Sequence, residues 1–281
     1  MIVYRIEGVL TALSPVFHGG FEKTGSVVLL NRIKFLVNDR TEDVPIVSGN
    51  QVRGRLRRLL VEDFLNLAEY EMDLTQKKHQ KLYHTLFAGG ILASVEEEES
   101  GVIDLSLKNK IVSYILPLRL FGCSYANQMI EGRLLIGHLL PVCKELKDYT
   151  GIESSLSFYQ LITRTFQTRR DDLGERSREE DEQAVQMMVE YECFAPGTKF
   201  YHEIVLETTD KSKEIDLSTL FRAISLWKKA PYIGGKSSIG FGKLKIDYKF
   251  PENASDSEYL QFVSENKDKI KSVLNELVEV L

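Results

Sequence analysis

Two short segments combine positive charge with glycine in a pattern suited to phosphate. The first is Ser48-Gly49-Asn50-Gln51-Val52-Arg53-Gly54-Arg55-Leu56-Arg57-Arg58, with four arginines and no acid at the start of a helical pattern. A helix N-terminus offers unpaired amides and a positive dipole end. Ser48 or Asn50 can cap it, and Gly49 and Gly54 let another backbone come close. Arg53 and Arg57 share a face, with Arg55 and Arg58 on neighbouring turns. A solvated face with arginine stems laid over apolar surface is the plain alternative, but the lack of any acid to pair with them favours phosphate. The second segment is Ile233-Gly-Gly-Lys-Ser-Ser-Ile-Gly-Phe-Gly-Lys-Leu-Lys245; from Lys228 to Lys245 there are five lysines and no acid. Gly234, Gly235, Lys236, Ser237 and Ser238 suit a cradle for a sugar-phosphate chain. The glycines can equally serve only to turn the chain, and Lys228 and Lys229 to complement a helix C-terminus.

The second segment is not a nucleoside triphosphate loop. The opening glycine of such a loop would fall at Ala230, and here a helical pattern precedes the loop while a strand follows it, the reverse of the required order. Two weaker candidates remain. Arg164 to Arg178, including Arg169 and Arg170, holds five arginines against Asp171, Asp172 and Glu175 and reads by itself as a surface loop. His18, followed by Gly19 and Gly20, is a turn residue or a general base, and a base needs a partner nearby. Cys123, Cys143 and Cys193 are scattered and the histidines lack ligand spacing, so no metal or other cofactor is expected.

The 281 residues, 43% hydrophobic, can bury a substantial core. No apolar run approaches the roughly 20 residues that span a bilayer, and the N-terminus lacks a signal-peptide pattern. A cytoplasmic protein without a membrane partner is therefore expected, and the odd cysteine count fits a reducing compartment. A net charge of −5 weighs at first against nucleic acid. The basic residues, however, are segregated from the acids, which gather at Glu96 to Glu99 and Glu179 to Glu182, and binding follows the local field.

Periodicity predicts the elements that must position these residues. A strand covers 2–12 and an extended stretch runs from Ser26 to Val37. A helix follows Ser48, with Val52, Leu56, Leu60, Phe64 and Leu67 on one face. Met187–Tyr191 and Phe200–Leu206 read as a hairpin around Ala195-Pro196-Gly197-Thr198. A helix capped by Asp216 covers 216–229, a strand covers 239–250, and an amphipathic helix from Ser257 packs at the periphery. The order approximates β-α-β-β-α-β. The expected fold is α+β, with a ferredoxin-like or RRM-like core from 1–70 and 185–250, a large helical insertion at 71–150, a thumb-like basic extension at 151–184 and a C-terminal helix at 251–281.

Four motifs in this order resemble the RAMP superfamily of CRISPR-associated proteins. They are Pro15-x-x-His18-Gly19-Gly20, Pro45-Ile-Val-Ser-Gly-Asn-x-x-Arg-Gly54, Glu192-x-x-Ala-Pro-Gly-Thr-x-Phe200 and Gly234-Gly-Lys-Ser-Ser-x-Gly-Phe-Gly242; Leu120-Phe121-Gly122 is similar too. Within the superfamily the chain looks most like the backbone subunit of a multisubunit effector complex, of the type IV or type I-D branch. That resemblance implies binding to guide RNA (crRNA) and presentation of it to complementary target nucleic acid, with copies stacked head to tail beside other CRISPR effector subunits. It implies RNA contacts from the basic helix, the glycine loop, the His18–Gly19 turn, Asn31 and a thumb over Thr163 to Gln186 that contains Arg164, Arg169 and Arg170. Backbones that cut target RNA carry an aspartate where Asn31 is the nearest match, and an amide cannot act as that carboxylate. Asp39 and Asp43 lie closer to Pro45, so the position stays open. A non-catalytic subunit is expected; the alternative is a metal-independent endoribonuclease with His18 as base.

Overall fold

The computed structural model describes residues 1–25, 27–90, 104–126, 128–169 and 187–281. In chain order the first elements are β1 (Ile2–Ala12), β2 (Gly19–Thr24), β3 (Val27–Leu30), β4 (Arg32–Val37), β5 (Arg40–Pro45) and α1 (Gly49–Leu67). Then come α2 (Lys77–Ala88), α3 (Leu105–Tyr114), α4 (Leu116–Phe121), β6 (Cys123–Tyr125), β7 (Gln128–Ile130), β8 (Leu134–Ile136), β9 (Leu140–Pro141) and α5 (Lys147–Thr150). The chain finishes with β10 (Ile162–Arg169), β11 (Met187–Phe194), β12 (Lys199–Thr208), α6 (Lys213–Lys229), β13 (Leu244–Tyr248), α7 (Ser257–Glu265) and α8 (Lys267–Val280).

The central sheet is built on β1, which buries Ile6, Leu10 and Ala12 and exposes Val3, Arg5 and Glu7, the period-two pattern of a strand with one covered face. β1 pairs antiparallel with β12 from Ile2↔Thr208 to Thr11↔Lys199, and on its other side with β13 from Gly8↔Tyr248 to Ala12↔Leu244. The far edge of β12 takes β8 and β9. Tracing β1, α1, β8 and β9, β12, α6 and β13 gives the β-α-β-β-α-β arrangement.

The second strand of that arrangement is not the expected Met187–Tyr191. The Pro196–Gly197 turn closes no hairpin: Gly197 donates to the Ala12 carbonyl at 2.7 Å and Ala12 donates to Thr198 at 2.8 Å, which docks the turn on the end of β1. The chain before it, β11, lies in a second sheet of order β10-β11-β3-β2. There β10 takes one edge of β11 over eight residue pairs and β3 runs parallel along the other, leaving no edge for β12. The stretch 71–150 thus supplies strands as well as helices, two of them completing the central sheet. The expected strand over 239–250 shortens to β13 because Ser237–Ile239 form a 3₁₀ turn.

On the covered face α1 contributes Val52, Leu56, Leu60 and Phe64, and α6 contributes Leu220, Ala223, Ile224 and Trp227, all buried against Ile6, Leu10, Ile204 and Leu206. Burying each large apolar side chain is worth about 1.5–3 kcal/mol. The C-terminal segment is two helices, and Tyr259, Val263, Ile270, Leu274 and Leu277 lie fully inside this core, so it is not peripheral. No helix among the described residues is long and apolar enough to cross a membrane.

Two ionic staples tie the helices together. Arg222 grips Asp63 through Nη2 at 2.6 Å and Nε at 3.1 Å, reaches Asp256 at 2.9 Å, and Tyr259 donates to Asp63 at 3.0 Å, joining α1, α6 and α7. Asp216 forms the other. It is not a cap, because α6 begins a turn earlier at residues with no apolar periodicity. It is 2% exposed and faces Arg119 Nε at 2.8 Å, Arg133 Nη1 and the Thr208 hydroxyl. Asp216→Ala leaves two neighbouring guanidiniums without a counter-charge, and the expected loss, read from urea unfolding, is about 3–5 kcal/mol.

Candidate nucleic-acid interface

After β1 the chain runs through Pro15, Val16, Phe17 and His18, and each of these four carbonyls accepts a hydrogen bond from a different place. Pro15 accepts from Gly242 at 2.8 Å, Val16 from Phe194 at 2.9 Å, Phe17 from Gly235 at 2.9 Å and His18 from Asn31 at 2.8 Å. The glycine-rich loop therefore lies directly on this segment. Gly234 has φ +81, and a Cβ there would sit 2.2 Å from the Phe17 carbonyl oxygen; one on Gly242, also φ +81, would sit 2.0 Å from that of Ile233. These two glycines serve contact between protein backbones rather than phosphate. Gly235, Ser237 and Ser238 remain exposed. Between them Lys236 holds the left-handed region at φ 62. Its Nζ lies 2.8 Å from Gln167 Oε1 of β10 and 3.8 Å from the ring centroid of Tyr191 of β11, while Phe17 packs edge-on to Tyr191 at 5.1 Å. Gly19 sits over Phe17, where a Cβ would be 2.8 Å from Cζ.

Asn31 joins β3 to β4 and is bracketed by Glu192. That buried carboxylate accepts from Leu30 N at 2.9 Å and from Arg32 Nη2 at 2.6 Å. The Asn31 carbonyl accepts from Ile46 at 2.9 Å, while its half-buried side-chain amide bonds no described residue. Neither aspartate takes over the position. Asp39 lies with Asn38 in the left-handed turn of the β4–β5 hairpin, and Asp43 is exposed on β5 opposite Lys34.

The start of α1 departs from its expected role. Ser48 caps it, its Oγ accepting from Gln51 N at 3.3 Å, and Gly49 N donates to His138 Nδ1 at 2.9 Å. Gly49 is required by a close crossing, since a Cβ would meet Ile136 O at 2.4 Å. Two leading amides are thus already satisfied, and Asn50 is the exposed residue there. Three of the four arginines turn inward. Arg53 donates to the carbonyls of Leu134, at 3.0 Å, and Phe121. Arg57 donates to Phe121 at 2.7 Å and Gly122 at 3.0 Å, and Arg55 to Ala230 at 3.0 Å. Two helix ends draw them in: Phe121 and Gly122 close α4, and Ala230 is the C-cap of α6, and the last carbonyls of each lack helical partners and form the negative end of its dipole. Burial, with Arg53 beside it, pushes the Arg57 guanidinium down to about 10. Arg58 alone among the four is exposed. The signal for this clamp was present in Leu120-Phe121-Gly122, a helix end awaiting donors.

His138 was absent from the sequence-derived site. It lies close enough to His18 to lower the His18 pKa, after burial as the larger cause. A third histidine, His202, is fully buried, with Nε2 3.0 Å from the Gly137 carbonyl and Nδ1 2.7 Å from the Tyr248 hydroxyl. Those partners suit the neutral ring, and burial pushes it down to about 4. Lys228 is exposed in the last turn of α6, Arg164 is exposed on β10, Arg169 ends β10, and Arg170 lies outside the described residues. No group of three potential metal ligands is present among the described residues.

Two stability predictions follow from these contacts. Gly234→Ala meets both left-handed strain and the Phe17 carbonyl, whereas Gly240→Ala at φ +92 has nothing within 4 Å. By urea unfolding the second should cost about 1–2 kcal/mol and the first distinctly more. For His202, the folded pKa lies below the ordinary 6.5, so the unfolded chain binds more protons between pH 6.5 and about 4, and the stability from this group is lost as pH falls through that window. Between pH 7 and pH 5 the wild type should lose about 2 kcal/mol more than His202→Gln.

The fold is shared with solved proteins. A chain of a structure titled "Type IV-B CRISPR Complex" superposes with a TM-score of 0.61 at 15% identity, over 90% of this chain and 97% of that one. No curated protein matches at a significant level. The family model of the RAMP superfamily matches residues 9–245, from within β1 to within β13, and the chain belongs to that superfamily.

Proposed function

We propose that this protein is the guide-RNA-binding backbone subunit of a CRISPR effector ribonucleoprotein. In this reading several copies stack head to tail along the crRNA, beside other effector subunits, and present it for pairing with complementary target nucleic acid. The observation that carries it is the convergence on Pro15–His18. The His18–Gly19 turn, Asn31, and the exposed Gly235, Ser237 and Ser238 meet there, beside Lys236 at the root of the β10–β11 arm. Backbone amides, small hydroxyls and a lysine at one edge make a surface for sugar-phosphate that reads no bases. Lys228 and Asn50 extend the proposed contacts, Arg164 and Arg169 belong to β10 of the arm, and Arg170, outside the described residues, follows them in sequence. Arg53, Arg55 and Arg57 belong to the scaffold in this reading, since each is turned inward and donates to a backbone carbonyl.

An amide at Asn31 supports a binding role without catalysis. A second reading, a metal-independent endoribonuclease, draws on His18, whose lowered pKa favours the unprotonated form a general base needs, with His138 nearby. RNA that stays intact with purified protein in the presence of a chelator leaves the binding role alone standing.

Affinity for single-stranded RNA should fall steeply with salt, because each phosphate neutralised adds about −0.7 to the slope of log affinity against log salt. Lys236→Gln should flatten that slope by about 0.7, with a smaller loss of stability than Arg57→Gln, which should lower the urea midpoint first. A flat salt dependence in the wild type would reject the proposal.

A further inference from the structure

β2 is an edge strand of the second sheet, and its pairing with β3 is irregular. Gly19 pairs with Leu30 but Lys23 pairs with Val28, so four steps along β2 match two along β3 and two residues are extra. A bulge of this kind bends the strand and re-aims a side chain, and bulges concentrate beside functional sites. Phe21 stands in the middle of it. Its relative exposure is 106%, the highest of any large apolar side chain among the described residues.

A single exposed apolar residue is ordinary on a protein surface. Phe21 differs in where it stands. It follows His18 by three residues, which at 3.3 Å per residue places it within roughly 10 Å of the turn proposed above to meet phosphate. Its strand neighbours Gly19, Glu22, Lys23 and Thr24 are exposed and none is apolar. A protein-docking patch needs contiguous apolar surface, and one aromatic ring among polar and glycine residues does not provide it. A lone π-face beside phosphate-binding groups is what a splayed nucleobase requires, and such stacking accepts any base.

We infer that Phe21 stacks on a base of the bound single-stranded RNA and sets its orientation without reading its identity. This rests on the RNA-binding reading. The test compares the wild-type chain with Phe21→Ala, Phe21→Leu and Phe21→Trp, using a short unstructured RNA and the same ribose-phosphate chain with its bases removed. Phe21→Ala and Phe21→Leu should weaken binding of the intact RNA by roughly five- to hundredfold and leave the base-free chain unaffected. The added tryptophan of Phe21→Trp should be quenched by intact RNA alone, read as a difference from wild type because the native Trp227 is buried. Binding of Phe21→Leu at the wild-type level, or no quenching while the wild type binds RNA, would overturn the stacking role and leave the RNA reading intact. An equal loss for both ligands with weakened self-assembly would assign Phe21 to a contact between copies and overturn it as well. A wild type that binds neither ligand would remove the RNA reading and this inference with it.

Discussion

Four consecutive carbonyls, Pro15 to His18, hold together the edge proposed to bind RNA. Within a regular strand, successive carbonyls alternate between two neighbours. Here three segments share them: the glycine-rich loop through Gly242 and Gly235, the end of β11 through Phe194, and the β3–β4 junction through Asn31. A carbonyl shielded from water and left without a donor is costly, so the three segments must arrive together for the fully buried Val16 and its half-buried neighbours to be satisfied. This explains why motifs far apart in the chain form one set. Pro15–Gly20 supplies the acceptors, the loop from Gly234 to Gly242 and the end of β11 supply donors, and Glu192 fixes the Leu30–Arg32 corner that presents Asn31.

Positive charge in this protein divides into two kinds. Arg53 and Arg57 of α1 are consumed by the carbonyl end of α4, where partial helix charge suffices, and the Arg57 guanidinium also lies over the Phe121 ring with Cζ 5.5 Å from its centroid. That clamp holds α1 against the segment leading to β8, and through it the Gly49–His138 contact at the interface. Density of like charge in a sequence is therefore no measure of availability. The deciding quantity is how many donors are left after buried carbonyls have been satisfied.

The α+β class was legible because β1, α1 and α6 have strong periodicity and bury one face each. What escaped depends on contacts distant in sequence. β8 and β9 are three and two residues long and leave almost no pattern, yet they occupy the position assigned to β11. Met187–Phe194 looks equally suited to either sheet, and only the docking of Gly197 on Ala12 decides. Asp216 looks like a cap because the apolar rhythm starts beside it, whereas its partners Arg119 and Arg133 lie far away in sequence. At the candidate site, the proximity of the His18 turn to the glycine-rich loop follows from the structure, while the residue types that single both out were visible in the sequence. The inward arginines, His138 and the bulge at Phe21 were not, since each follows from geometry between segments.

Lys236 shows how the scaffold keeps one charge in reserve. A non-glycine residue in the left-handed region costs about 1–3 kcal/mol and persists only where its surroundings fix it. Two neutral groups do so here, the Gln167 amide oxygen and the Tyr191 ring. Neither cancels the charge, and no carboxylate pairs with this ammonium among the described residues. A carboxylate in place of Gln167 would hold the arm more firmly and at the same time neutralise the field a phosphate would follow. Neutral partners fix the position of the lysine and leave its field open, so the arm and the loop are joined without closing the edge to an anionic polymer.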